Sequence, residues 1–369
     1  YVFTDKEEEV KKLIKEKAIL ESMGSKVDEH YSIPLKLKNI YAISVDNTAV
    51  FHPLKYLYAL KNICLKHNIK IYEFTKIYNI KKEGDYYICD ANDKKIKAKK
   101  VVLACHYPFF LFPLFFPIKS YLEKSYITAS KVKENEKKTY ITSKNPTESI
   151  RFYEEEDSYL IYLNNSHKIC NDLNDKELFE SSLKQANKLD LLPDYIWSNV
   201  DIMTYDKLPF IGKIKENMWI GTGYNTWGMT NGTIAAFLLS DLILDKENMY
   251  EELFSLKRKN LKNKVIGYSN NLFINLKGYI PNKIIKNKKW YPKSLTFTKK
   301  YGKSVAIYKE GSKEHIVYTK CPHVGCTLVF NEVEKTWDCP CHASKFNIDG
   351  KCIKGPSLYD ISYKKKTDD

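Results

Sequence analysis

The chain has 369 residues, of which 43% are hydrophobic, and this is enough to fill the cores of two or three domains. Its formal net charge of +15 is carried almost entirely by lysine, because Arg151 and Arg258 are the only arginines. Phosphate recognition favours the bidentate guanidinium group, and the lysines occur in every region of the chain. The composition therefore argues against a nucleic-acid partner.

Cysteine usage and apolar runs bear on the location of the protein. Five of the nine cysteines lie in the last fifty residues, and the others are scattered singly, as in a reducing compartment. The most apolar run, residues 108–118, is short and contains three prolines, which predicts no transmembrane segment. The first residues are charged and lack an initiator Met, so we expect a cytoplasmic protein that lacks an N-terminal portion.

Apolar periodicity predicts a chain of mixed helices and strands up to about residue 279. The predicted helices cover residues 5–23, 51–66, 175–189, 230–244 and most of 250–277. The predicted strands are residues 40–45 and 69–74, a hairpin meander with turns at 83–85 and 91–94, then 101–105, 125–129, 138–142, 149–153, 160–163, 200–205 and 218–221. The run at 101–105 (VVLAC) is typical of a strand buried on both faces of an α/β sheet.

A glycine-rich segment, residues 221–232 (GTGYNTWGMTNG), precedes the apolar helix predicted at 230–244. Glycines allow a backbone to approach a ligand closely, and the helix N-terminus favours an electron-rich group such as the N1/O2 edge of a reduced flavin. A plain tight turn is the alternative interpretation of these glycines.

This segment and residues 206–212 (DKLPFIG) resemble the C-terminal signature of FAD-dependent oxidoreductases of the D-amino-acid-oxidase and glycine-oxidase superfamily. Residues 51–53 and 101–106 are similar to that family's entry helix and to its strand that returns to the flavin. The resemblance implies FAD contacts from Ala104, Gly221, Gly223, Trp227, Gly228, Met229 and Thr230. The family's G-x-G-x-x-G fingerprint is absent from the 369 residues, so we expect FAD binding to need a missing N-terminal segment.

Three further side chains are candidates for the active site. Arg151 either clamps a substrate carboxylate or pairs with the glutamates at 154–156. His167 either lines the active site or is an ordinary surface histidine. His106 follows the strand at 101–105, where the resemblance places the flavin, and is a candidate for cofactor contact.

The C-terminal region contains the most specific motif, Cys321-x-His323 followed after fifteen residues by Cys339-x-x-His342. Two Cys and two His form the ligand set of a Rieske [2Fe–2S] centre, in which the histidines bind one iron and raise its potential. Zinc also accepts two Cys and two His, but zinc fingers pair like ligands within a loop.

Each of these loops carries one more cysteine, Cys326 or Cys341, and this placement suggests a disulfide that joins the loops. Ser344 could donate a hydrogen bond to a cluster sulfur and raise the potential. The pattern resembles the Rieske domain of the cytochrome bc and b6f type, in which CxHxGC and CPCHxS supply ligands, disulfide and serine. Phe346 stands where those proteins often have a tyrosine, which implies a somewhat lower potential.

Together the resemblances imply an α+β or α/β flavin-oxidoreductase-like domain, incomplete at its N-terminus, followed by a small all-β Rieske domain. The expected bounds are 1–279 for the first domain, with a substrate sheet at about 107–205, then a linker at 280–289 and the Rieske domain at 290–369. The resemblance most closely involves the subgroup in which such an oxidoreductase carries a C-terminal Rieske domain.

The function that this implies is flavin-dependent oxidation of an amine or amino acid, with electrons leaving singly through the [2Fe–2S] cluster to an external acceptor. The alternative is a non-catalytic electron-transfer protein whose truncated flavin-like domain is a scaffold. A ferredoxin-like donor to an oxygenase is disfavoured by the Cys326/Cys341 pair, which oxygenase-type Rieske domains usually lack.

Overall fold

The computed structural model describes residues 1–109, 116–133, 136–169, 174–258 and 291–363. The expected linker at 280–289 and most of the apolar run at 108–118 lie outside the described residues. The chain forms two compact units, one from Tyr1–Ile71, Lys124–His167 and Leu173–Asn199, and the other from Tyr72–Glu123, Lys168–Asp172 and Val200–Asp369. The expected domain bounds stay a prediction.

Six helices and twenty-one strands are formed by the described residues. The helices are α1 (Glu7–Ser22), α2 (Pro53–Lys66), α3 (Phe116–Lys119), α4 (Asp175–Asn187), α5 (Gly228–Ile243) and α6 (Glu251–Phe254). The strands are β1 (Val2–Thr4), β2 (Val27–His30), β3 (Tyr41–Val45), β4 (Ile77–Glu83), β5 (Tyr86–Ala91), β6 (Lys94–Ala98), β7 (Val101–Leu103), β8 (Ser120–Val132), β9 (Thr139–Thr142), β10 (Ser149–Glu154), β11 (Ser158–Lys168), β12 (Pro193–Thr204), β13 (Phe210–Lys215), β14 (Met218–Thr222), β15 (Leu295–Lys300), β16 (Lys303–Glu310), β17 (Lys313–Tyr318), β18 (Val329–Asn331), β19 (Thr336–Asp338), β20 (Lys345–Asn347) and β21 (Cys352–Lys354).

The first unit is built on an eight-stranded sheet of order β12-β8-β11-β10-β9-β1-β3-β2. Alternate residues of its strands are buried, as Ile150 and Phe152 of β10 and Leu160 and Tyr162 of β11 show. Helix α1 begins with three glutamates, which favour a helix N-terminus, and it inserts Leu13 into a core with β2 and β3. Helix α2 begins at Pro53 after His52, whose ring accepts from the Lys55 N–H at 3.4 Å.

The second unit contains two sheets around one core before the cysteine-rich region. Strand β7 pairs in parallel with β14, which pairs antiparallel with β13, while β4, β5 and β6 form the expected meander. Leu103, Tyr107, Phe116, Phe210 and Ile220 belong to the same buried cluster. Helix α5 covers the other side of β13 and β14 with an apolar face that contacts Ile211 and Trp219.

In residues 291–363 the regular elements are all strands, in a three-stranded sheet β15-β16-β17 and a four-stranded sheet β18-β19-β20-β21. The two sheets share a core that includes the fully buried Trp337 and Phe346 and the cysteines of both motif loops. The prediction of a small all-β domain is confirmed for the described part of this region.

Two of the predicted strands differ from the structure. Residues 69–74 form no strand, and Phe74 is fully exposed with a φ of 56°, so the apolar letters there lack a neighbouring strand. Strand β7 is present, but Val102 is 42% exposed, so the strand is not buried on both faces. Its position at the end of a three-stranded sheet, paired only with β14 in the part the structure describes, explains that exposure.

Candidate iron–sulfur and flavin sites

The two motif loops have the same backbone design. The N–H of Cys321 donates to the carbonyl of Cys326 at 2.8 Å, and the N–H of Cys339 donates to the carbonyl of Ser344 at 2.8 Å. Each loop contains one left-handed residue, Gly325 with a φ of 85° and Ala343 with a φ of 65°. The loops are thus two similar turns, each of which presents one cysteine and one histidine.

The histidines face each other with a free nitrogen each. The rings of His323 and His342 lie 4.9 Å apart at 90°, and both Nδ1 atoms are buried without a hydrogen-bond partner among the described residues. Burial lowers the pKa of both rings, that of His342 to about 3, so they remain in the neutral form that binds metals. Orphaned buried nitrogens of this kind fit a pair of iron ligands.

The cysteines complete the set. Cys321 and Cys339 are almost fully buried and hydrogen-bonded to each other. That bond, with help from the Ser344 hydroxyl, lowers the pKa of Cys321 to about 7, while the same pairing and burial raise the pKa of Cys339. Two buried thiols beside two neutral imidazoles fit a [2Fe–2S] cluster held asymmetrically, sulfur on one iron and nitrogen on the other.

A disulfide joins Cys326 to Cys341, fifteen residues apart in sequence. Both sulfurs lie within 4.8 Å of the Sγ of Cys339, so the bridge adjoins the cysteine ligands. Ser344 is completely buried, contacts Cys321, and accepts from the Ser357 N–H at 2.9 Å. It therefore connects Cys321, a candidate ligand, to the loop after β21 that contains Ser357.

The candidate flavin contacts meet where β7 ends and α5 begins. The Thr222 hydroxyl donates to the carbonyl of His106 at 2.6 Å and so joins the end of β14 to the segment after β7. The His106 side chain is exposed in the structure, and partial desolvation, with the charge of Lys354, lowers its pKa to about 4. Helix α5 has no side-chain cap at its exposed start, Gly228, so its first N–H groups are available to a flavin edge.

The glycines of this segment differ in their surroundings. A Cβ on Gly221 would lie 2.7 Å from the Tyr224 hydroxyl, and one on Gly223, with a φ of +72°, would lie 2.8 Å from Thr204. A Cβ on Gly228 would meet nothing within 4 Å. Packing within the protein therefore explains the first two glycines, and the open space lies at Gly228. Trp227 is 58% exposed beside it.

The substrate-side candidates, Arg151 and His167, lie in the first unit. Arg151 is exposed on β10, and His167 is half-buried at the end of β11, where it stacks on Tyr126. The sequence analysis missed the buried Lys124, which pairs with Asp175 at 2.9 Å next to the Tyr126 hydroxyl. The sequence feature that could have revealed Lys124 is its position within the long strand β8, because a lysine is rarely buried without a partner.

The sequence matches the family of FAD-dependent oxidoreductases described as DAO over residues 1–242, and the Rieske [2Fe-2S] domain over residues 282–363. The fold and the site thus define a flavin-dependent oxidoreductase with an iron–sulfur centre. The chain belongs to the DAO family and carries a C-terminal Rieske domain, so its cofactors are FAD and a [2Fe–2S] cluster. This excludes the zinc interpretation.

Individual relatives agree with this assignment. The chain is 32% identical over 373 residues to YhfW, a Rieske 2Fe-2S iron-sulfur protein of Bacillus subtilis (strain 168), a match that covers 97% of this chain and 73% of that protein. Its fold is similar to glycine oxidase from Geobacillus kaustophilus, with a TM-score of 0.55, 16% identity, and coverage of 70% of this chain and 74% of that one. Its fold is also similar to L-proline dehydrogenase from P. horikoshii, with a TM-score of 0.57 and 17% identity. That match covers 70% of this chain and 75% of the other.

No helix among the described residues has the length and apolar character that crossing a bilayer requires.

Proposed function

We propose that this protein oxidises an amine or amino acid with its flavin and passes the electrons singly through its Rieske cluster to an external acceptor. The observation that carries the proposal is that the flavin-side elements and the cluster loops belong to one compact unit. Ala343 of the second cluster loop is buried in the same core as Leu103 of β7 and Ile220 of β14.

The chemistry is divided between the cofactors and the chain. When bound, the flavin takes a hydride from the substrate and the cluster carries one electron at a time. The α5 N-terminus and the segment from Ala104 to His106 hold the flavin edge, with Trp227 and Met229 beside the ring. Cys321, His323, Cys339 and His342 hold the irons.

The substrate class rests on the fold relatives and on the scarcity of arginine. Two proteins of similar fold, glycine oxidase and L-proline dehydrogenase, are named for amino acids. Arg151, one of two arginines in the chain, binds the substrate carboxylate, and His167 lines the pocket. The site of action is the cytoplasm, where single free thiols such as Cys64 and Cys89 persist.

Anaerobic mixing of the purified holoprotein with a panel of amino acids and amines tests this function. We expect bleaching of the flavin band near the start of the reaction, followed by the EPR signal of the reduced cluster. No flavin bleaching with any member of the panel, in protein that contains flavin, contradicts the proposed activity. Arg151→Lys should raise KM for carboxylated substrates but not for simple amines.

The ligand assignment has its own test. Cys321→Ser and His342→Ala should both lose iron and the Rieske-type EPR signal, while Cys64→Ser, a cysteine on α2, should retain them. Retention of the signal in His342→Ala contradicts the ligand set.

A second candidate function is a non-catalytic electron-transfer protein with a flavin-like scaffold. The observation in its favour is that packing against Tyr224 and Thr204 explains Gly221 and Gly223 without a flavin. Iron and sulfide at full occupancy without flavin absorbance, in protein supplied with FAD, supports this candidate over the first.

A further inference from the structure

The histidine face of the cluster loops is covered by the segment that follows β7. The Nε2–H of His323 donates to the carbonyl of Phe109 at 3.1 Å, and the ring of His342 lies 5.1 Å from that of Tyr107. His342 and Tyr107 are 3% and 5% exposed, so this contact excludes solvent. Because a carbonyl can only accept, the bond also fixes the His323 tautomer that leaves Nδ1 free for iron.

Residues that follow Cys352 in the chain make further contacts with the flavin-like part of the same unit. The Lys76 ammonium donates to the Leu358 carbonyl at 3.0 Å, and the ring of Tyr78 lies 5.7 Å from that of Tyr359. Lys354 donates to the carbonyl of Val200 at 3.4 Å. Residues 354–359, whose Ser357 contacts Ser344 of the second cluster loop, are therefore attached at several points to the flavin-like part of the same unit.

The covering segment is short and begins at the flavin side. Residues 104–106 follow β7 directly, and Thr222 holds the His106 carbonyl. Three residue steps separate His106 from Phe109, which is at most about 11 Å of extended chain. A continuous stretch of backbone thus connects the proposed flavin contact to the hydrogen bond on a cluster ligand.

We propose that residues 107–109 form a built-in docking surface for the histidine face of the cluster, through which electrons enter the cluster from within the chain. This rests on the proposed function. Each crossing transfers one electron from the reduced flavin to a ferric ion, which becomes ferrous, and neither a bond nor a proton crosses the contact. Two crossings complete one substrate oxidation, with a one-electron acceptor reoxidising the cluster between them.

The docking surface also decides where the external acceptor binds. Because the histidine face is occupied by the chain itself, an external acceptor approaches the cluster from another side. A small molecule that binds by hydrogen bonding to His323 Nε2 has no access to that atom.

Histidine acylation by diethyl pyrocarbonate, followed by mass spectrometry of the holoprotein, measures the closure of this face. With Nδ1 on iron, Nε2 is the reactive atom of His323 and His342. We expect both to react at least tenfold more slowly than the exposed His67. Reaction of His323 at the rate of His67 overturns the proposal.

A double variant, Lys76→Ala with Tyr359→Ala, loosens the rim of the contact without touching a ligand or a flavin candidate. Acylation of His323 should rise at least threefold in it, with the EPR signal unchanged. A matched control, Lys81→Ala with Tyr301→Ala, removes a lysine of β4 and a tyrosine that is 79% exposed, and should behave as the wild type. An unchanged rate in the rim variant contradicts the proposal.

Electron entry is measured by photoreduction of the flavin in anaerobic holoprotein, with EPR detection of the cluster. The rim variant should reduce its flavin at the wild-type rate but its cluster at least tenfold more slowly, and the control pair should match the wild type. Equal cluster reduction in the rim variant overturns the entry route. Photoreduction needs no amine substrate, so a failure of the proposed activity is distinguishable from a failure of this contact. Tyr107→Ala provides a stronger second variant.

Discussion

Two of the proposed cluster ligands, Cys321 and His323, make hydrogen bonds that bear on the redox potential. Ser344 contacts Cys321, and Phe109 fixes His323, so one bond acts on the sulfur side and the other on the nitrogen side. A hydrogen bond to a ligand sulfur stabilises the reduced, more negative cluster and therefore raises the potential. Phe346 is fully buried and has no hydroxyl with which to add another.

Removal of the serine hydroxyl should lower the potential without loss of the cluster. In Ser344→Ala we expect a decrease of about 60 mV, since a hydrogen bond to a charged sulfur is worth about 1.4 kcal/mol, or about 59 mV for one electron. Redox titration followed by EPR measures it. Ser357→Ala is the control, because it removes a buried hydroxyl of the same region that bonds to Tyr359 and not to a ligand. An equal shift in both variants contradicts the assigned role of Ser344.

The disulfide should stabilise the cluster loops against heat. It closes a fifteen-residue separation, for which chain entropy predicts about 3 kcal/mol. In Cys326→Ser with Cys341→Ser, we expect the cluster's visible absorbance to be lost at a lower temperature than in the wild type. Cys352→Ser, which changes a free cysteine of the same domain, should leave that temperature unchanged. If the wild type, the double cysteine variant and Cys352→Ser all lose this absorbance at the same temperature, the stabilising role of the disulfide is contradicted.

At the scale of elements, the turn before β13 depends on Arg258. Its guanidinium binds Asp206 through two contacts of 2.7 and 2.8 Å and also donates to the carbonyls of Leu208 and Pro209. Its Cζ lies 4.2 Å from the centroid of the Phe210 ring. Burial would raise the pKa of Asp206, but the hydrogen bonds and charge of Arg258 reverse this and lower it.

Loss of this pair should destabilise the second unit. Arg258→Met leaves the buried Asp206 carboxylate without its partner. We expect the free energy of unfolding in urea to decrease by about 3–5 kcal/mol. Arg151→Met, at the exposed arginine, should change stability by less than about 0.5 kcal/mol. Because the folded pKa of Asp206 is depressed, its contribution is complete above about pH 4 and falls as the pH drops through the folded value. The difference in unfolding free energy between the wild type and Asp206→Asn should decrease below that pH. A difference that stays constant with pH contradicts this account.

Two glycines of the segment between β14 and α5 are expected to have different roles. Gly223 is required by packing within the protein, and Gly228 is a candidate for close approach of the flavin. Gly223→Ala should cost about 1–2 kcal/mol for its left-handed backbone, with the Thr204 overlap in addition. Gly228→Ala, in open space at the helix start, should not destabilise the apoprotein. Because we propose that the flavin contacts the backbone at Gly228, this variant should weaken FAD binding, which flavin fluorescence measures. Unchanged FAD affinity in Gly228→Ala removes it from the flavin site.

The sequence predicts local features of these elements well and distant contacts poorly. Spacing alone located the helix at Pro53 and six of the eight strands of the large sheet, because periodicity and turn residues are local properties. It did not predict the short strands β1 and β2. It did not reveal that residues 69–74 lack a strand partner. It also did not predict that Tyr107 covers His342, because residues more than two hundred positions apart carry no local signal of contact.

On the scale of the whole molecule, the two cofactors impose an electron count that neither part has alone. The flavin accepts two electrons and the Rieske cluster one, so complete reduction of a holoprotein chain takes about 1.5 equivalents of a two-electron reductant. Anaerobic titration with dithionite, followed at the flavin band and by EPR, measures this value. One equivalent of substrate supplies only two of these three electrons and should therefore leave the chain incompletely reduced.

Cluster reduction also distinguishes electron transfer within one chain from electron transfer between chains. With residues 107–109 in contact with the cluster, electrons redistribute within the chain, and the cluster signal should grow in step with flavin reduction at every protein concentration. If electrons instead passed between chains, the rate of cluster reduction would rise with concentration. A concentration-independent rate is the expected outcome, and a rate proportional to concentration contradicts transfer inside one molecule.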